Sequence, residues 1–94
     1  MGSNLMRRKF IIGPSYRVAR DWAWENHLDT KDYVIVTEMN RLRGIDGNQM
    51  EFVLLDGHWL NGVFQENDSY YFYKHLLSRG AIETRVYNAG VVHR

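Results

Sequence analysis

Residues 33–57, YVIVTEMNRLRGIDGNQMEFVLLDG, decide the fold of this chain. Two apolar runs bracket a polar segment that ends in Arg43, Gly44, Ile45 and Asp46. The first run, 33–36, is β-branched and reads as a strand. The second, 51–55, is apolar on successive residues, which suits a strand covered on both faces in the middle of a mostly parallel sheet. Between them, residues 40–43 have room for one helical turn, and Gly44, Asp46, Gly47 and Asn48 make a tight connection into the second strand.

Outward from that core, residues 9–12 form a short apolar run stopped by Gly13-Pro14-Ser15, a strand followed by a helix start in which Ser15 caps the exposed amides. Tyr16, Ala19, Trp22 and Ala23 share one face at helical spacing, which predicts a helix over residues 16–27. Residues 29–32 are a polar break. Residues 57–67 read as a loop, long for a compact domain and for that reason a functional candidate. Asn67 or Asp68 then caps a second helix with Phe72, Tyr73, Leu76 and Leu77 on its apolar stripe, closed by Gly80. Residues 83–87 form a last, edge-type strand.

The order predicts an α/β fold: a small three-layer sandwich of Rossmann- or RecA-like build, with about four mostly parallel strands and two main helices. Residues 9–88 form the single domain, residues 1–8 an N-terminal extension and residues 89–94 a tail. In such sheets the ligand crevice lies beyond the carboxyl ends of the strands. The loops at 13–15, 37–43, 56–59 and 88–90 are expected to meet there.

Composition narrows the function classes. With 94 residues, 45% hydrophobic and 24% charged, the chain matches one ordinary globular domain. Twelve Lys and Arg stand against 11 Asp and Glu, and a net charge of +1 creates no field strong enough to hold a polyanion. The absence of cysteine excludes disulfides, thiol catalysis and cysteine-held metals. Histidines 27, 58, 75 and 93 show no metal-ligand spacing, so neither a metal site nor a cofactor is expected. No stretch approaches the roughly 18 apolar residues of a membrane span. A cytoplasmic protein is the simplest expectation.

The segment from Thr37 through Arg43-Gly44-Ile45-Asp46 to Asp56 resembles motif V of the C-terminal RecA-like domain of superfamily 2 helicases. The resemblance covers about a quarter of the chain and implies phosphate or ribose contacts for Thr37, Gly44 and Asp46. Ser15 at a helix start and the side chains of Arg41 and Arg43 can bind phosphate as well. The chain lacks a Lys-bearing phosphate loop, so this reading is a nucleotide- or nucleic-acid-binding remnant without its own ATPase activity. In size and layout the chain is also similar to short orphan α/β proteins of bacteriophages, which would place it in the host cytoplasm.

Aromatic residues, at 14%, are abundant. Trp24 lies off the apolar stripe of its helix, Trp59 and Phe64 sit in a polar loop, and Tyr70 and Tyr71 cannot both face inward on a helix. Large, stiff aromatic groups are favoured anchors of protein interfaces. Trp24, Trp59, Phe64 and Tyr71 are accordingly the candidates for docking a protein partner or a second copy. Asp56 and His58 are the nearest approach to an acid–base pair, but no nucleophile is placed beside them and no catalytic residue is assigned. The leading expectation is a non-enzymatic interaction or regulatory module.

Overall fold

The computed structural model describes residues 7–86, apart from the side chains of Asn40 and Arg41. Four strands, β1 (Arg8–Ile12), β2 (Tyr33–Ile35), β3 (Met50–Leu55) and β4 (Ile82–Val86), form one sheet in the order β2-β1-β3-β4, and every pairing is parallel. Helix α1 (Tyr16–Glu25) follows β1, while α2 (Gly62–Gln65) and α3 (Asn67–Ser78) lie between β3 and β4. The three-layer α/β sandwich expected from the apolar runs is the observed architecture.

Alternation along the strands splits the core in two. Phe10, Ile12, Phe52 and Leu54 point to one face and pack with Tyr73 and Leu76 of α3 and with Met39, Leu42 and Val63. Ile11, Val53 and Leu55 point to the other face, where Ala19 and Ala23 let α1 approach closely. The chain steps from β1 out to β2 over one face, then returns past β1 to β3 and on to β4 over the other. Right-handed crossovers require that change of face when the direction of travel reverses. The reversal falls between β1 and β3.

Several boundaries differ from expectation. Helix α1 stops at Glu25, short of residue 27, because His27 takes a left-handed backbone (φ 58°). The Leu28 amide then donates to the Ala23 carbonyl and the His27 amide to that of Trp24, both at 3.0 Å, which closes the helix in a Schellman turn. Helix α3 ends the same way with Gly80 (φ 109°) in the left-handed position, where glycine carries no Cβ penalty. Residues 57–67 are not an open loop: they fold into a 3-10 turn, His58–Leu60, and the short helix α2.

The turn expected at 40–43 is a 3-10 helix at Met39–Leu42. β1 begins at Arg8, and Arg7 donates to the carbonyls of Met50 (3.2 Å) and Gly80 (2.9 Å), so both residues belong to the packed fold rather than to an extension. The last strand is Ile82–Val86. The end of that strand expected at residue 87, the loop at 88–90 and the tail lie outside the described residues.

Candidate functional site

The point where strand order reverses is bounded by Gly13-Pro14-Ser15 after β1 and Asp56-Gly57-His58 after β3. Gly57 has φ 85°, and a Cβ there would lie 3.3 Å from the Pro14 ring, so glycine at 57 lets the two turns close on each other without backbone strain or crowding. Asn61, only 6% exposed, donates from Nδ2 to the carbonyls of Gly13 and Val36, each at 3.0 Å, and its Oδ1 accepts from the Val63 amide at 3.0 Å. One amide thereby ties together the turns that follow β1 and β2 and caps α2.

His58 Nδ1 donates to the Leu55 carbonyl (2.8 Å), since a carbonyl can only accept. Its ring is thus fixed on the end of β3, with Trp59 edge-on at 5.2 Å and Phe64 at 5.1 Å between centroids. Among the described residues no hydrogen bond or ion pair joins Asp56 to His58, and none gathers three or more His, Asp or Glu side chains into a metal-holding group.

Phe64 continues the series of rings. It meets Tyr73 at 5.1 Å and Tyr70 at 6.0 Å, and Tyr70 meets Tyr71 at 6.5 Å. Tyr73 in turn packs on Phe52 in the core, and its hydroxyl donates to Glu83. Burial, and then that carboxylate, push the Tyr73 phenol far above its ordinary pKa. The aromatic series therefore has a buried, hydrogen-bonded root and two exposed ends, Trp59 through His58 and Tyr71 through Tyr70. Trp59 is 54% exposed, its neighbour Leu60 62% and Tyr71 69%. Gln65 Nε2 donates to the Trp59 carbonyl at 2.8 Å and holds the turn that carries it.

Of the four aromatic candidates, Trp59, Phe64 and Tyr71 are thus linked, with Phe64 half-buried as the connecting ring. Trp24, 80% exposed on α1, belongs to the layer on the other side of the sheet. Leu60 and the structural role of His58 carry no signal in the sequence beyond their position in a polar loop. Asn61 does carry one, since Asn-Gly before an apolar pair is a helix-cap signature, but the surrounding polar residues disguise it as part of a loop.

The phosphate candidates are dispersed. Ser15 caps α1 by accepting from the Val18 amide (3.3 Å), and Thr37 is exposed beyond β2. The connection from β2 to the parallel β3 must travel back down the sheet, so Gly44 and Asp46 arrive at the opposite end. There they line a cavity of about 440 Å³ with Phe72, His75 and Arg79. Arg43 lies midway, its guanidinium 5.2 Å from the Phe72 ring centroid and facing Glu38, Glu66 and Asp68 across a cavity of about 240 Å³. The Arg41 side chain lies outside the described residues.

At the amino end of the sheet, Lys9 Nζ and Glu51 Oε1 form an ion pair at 2.9 Å, and Thr84 Oγ1 donates to Glu51 Oε2 at 2.8 Å. Burial alone would raise the Glu51 pKa, but these donors and the Lys9 and Arg7 charges more than offset it and hold the carboxyl below its ordinary value. Comparison with protein-family models, with curated proteins and with solved structures found no match.

Proposed function

We propose that this chain is a non-catalytic protein-interaction module that docks a partner through Trp59, Leu60 and Tyr71, with Tyr70 at their margin. One observation carries the reading: Trp59 through His58, and Tyr71 through Tyr70, are joined by Phe64 to the buried Tyr73, so the exposed rings are backed by the core before any partner arrives. Rigid aromatic anchors lose little side-chain entropy on binding and dominate interface energetics. Meanwhile Asn61 ties the turns after β1 and β2 together at the carboxyl end of the sheet, next to the turn that carries Trp59.

The test is capture from a cell lysate by immobilised wild-type protein, by the double variant Trp59→Ala/Tyr71→Ala, and by Trp24→Ala. A protein retained by the first and third but lost by the double variant, at unchanged melting temperature, supports the reading. A captured set indifferent to Trp59 and Tyr71 refutes it.

A second reading, binding of a nucleotide or a single strand, draws on the helicase resemblance and on the cavity lined by Gly44, Asp46, Phe72, His75 and Arg79. It fails if millimolar nucleotide leaves the exchange of amides around Gly44 and Asp46 unchanged.

A further inference from the structure

Strand β4 is an edge with self-complementary chemistry. Its sequence, Ile82-Glu83-Thr84-Arg85-Val86, pairs with β3 in unbroken register along one side, and among the described residues no strand lies against the other. The opposite edge, β2, is only three residues long. Sheet edges are commonly protected from one another by charged side chains, proline, a bulge or shortness; residues 82–86 hold no proline or bulge, and their two charges, Glu83 and Arg85, are of opposite sign and so can complement a second copy.

The charges on β4 alternate in sign. Glu83 and Arg85 share the α3 side of the sheet, 3.5 Å apart, and Glu83 is steadied by the Tyr73 hydroxyl. Ile82, Thr84 and Val86 project from the other side, Ile82 exposed and Val86 half-buried. If two such strands meet antiparallel about a two-fold axis through Thr84, Ile82 falls opposite Val86 of the second copy and Glu83 opposite its Arg85. Symmetry repeats both pairs. Apolar residues then meet on one side and opposite charges on the other, with no like charges opposed.

We infer that two copies of this chain associate edge to edge through β4, antiparallel about Thr84, into one continuous eight-stranded sheet. A two-fold of this kind is closed and isologous, so the assembly stops at a dimer. The edge is distinct from the exposed aromatic residues, though Glu83 also accepts from Tyr73 at their buried root.

Sedimentation of the full chain, from micromolar to millimolar, tests the inference by charge exchange. Glu83→Lys sets an ammonium group opposite Arg85 twice per dimer, and Arg85→Glu sets two carboxylates opposite each other twice. Each variant alone should weaken the dimer by about tenfold or more. An equimolar mixture of the two should restore it as a heterodimer, because every cross-strand pair is again of opposite sign, and so should the double exchange Glu83→Lys/Arg85→Glu.

Glu83 also receives the Tyr73 bond, so Ile82→Asp, which leaves that bond intact, supplies an independent loss of dimer should Glu83→Lys not fold. A monomer at all concentrations overturns the inference, as does a dimer indifferent to the single exchanges or a mixture that does not restore association. A dimer lost with Trp59→Ala but not with Arg85→Glu overturns it too, and assigns self-association to the aromatic rim instead.

Discussion

Replacing Asn61 probes the part of the structure on which the candidate site depends. Asn61→Ala removes the donor to two buried carbonyls, Gly13 and Val36, and the acceptor for a free first-turn amide of α2, at Val63. A net hydrogen bond is worth about 1 kcal/mol and a buried group left without a partner costs about 1–3 kcal/mol. The expected loss is therefore about 3 kcal/mol, against a total for a domain of this length of about 5–10 kcal/mol. Asn61→Asp should be worse at neutral pH, because a carboxylate oxygen would replace the donating amide and face two carbonyl oxygens.

The Asp variant also carries a signature in pH. Confinement beside those carbonyls raises the carboxyl's folded pKa above its unfolded value of about 3.9, so this variant is least penalised below that pH and loses stability as pH rises from there through the higher folded value. Urea unfolding followed by tryptophan fluorescence gives the free energies, and hydrogen exchange at the Val63 amide reports whether the α2 cap alone has opened. An Asn61→Ala protein within about 1 kcal/mol of the parent, or an Asp variant with no acid recovery, would refute the assignment of Asn61 as the tie between the turns.

His27→Gly should stabilise the protein by about 0.5–1 kcal/mol in the same urea assay, because glycine takes the left-handed backbone at residue 27 without the penalty that histidine bears; a loss would show that the His27 side chain contributes more than its backbone costs. The Lys9–Glu51 pair should make stability fall in acid. With the Glu51 carboxyl held below its ordinary 4.5, its contribution is complete above that pH and drains as pH falls toward the lower folded value. Partly exposed as the pair is, the loss is about 1 kcal/mol, and Glu51→Gln should abolish that part of the profile.

What the sequence disclosed and what it withheld divide along physical lines. Phe52–Leu55 announced a doubly covered strand because burial on both faces leaves no polar position, and Gly80 announced the end of α3 because its residue type matches the backbone it adopts. The end of α1 was hidden, since His27 takes a conformation that its residue type does not favour. The service of Asn61 was hidden for a different reason: its partners, Gly13 and Val36, lie 48 and 25 residues away and become neighbours only after the strands pair. The scatter of the phosphate candidates, by contrast, was implicit in the parallel sheet. A connection between parallel strands must run the height of the sheet, so Thr37 and Asp46 could not both sit at its carboxyl end.

That geometry bears on which activities this fold can support. A doubly wound sheet opens a crevice where its strand order reverses, and the opening persists only if the flanking turns stay apart. Here Gly57 lets the turn after β3 close on Pro14, and Asn61 satisfies the backbone groups that an incoming ligand would otherwise compete for. The turn that seals the crevice is the same one that presents Trp59 and Leu60, and α2, which Asn61 caps, carries Phe64 beneath them. Closing the crevice and fixing the aromatic tip are one structural event, and loosening Asn61 should disorder the tip even where Trp59 and Tyr71 are untouched.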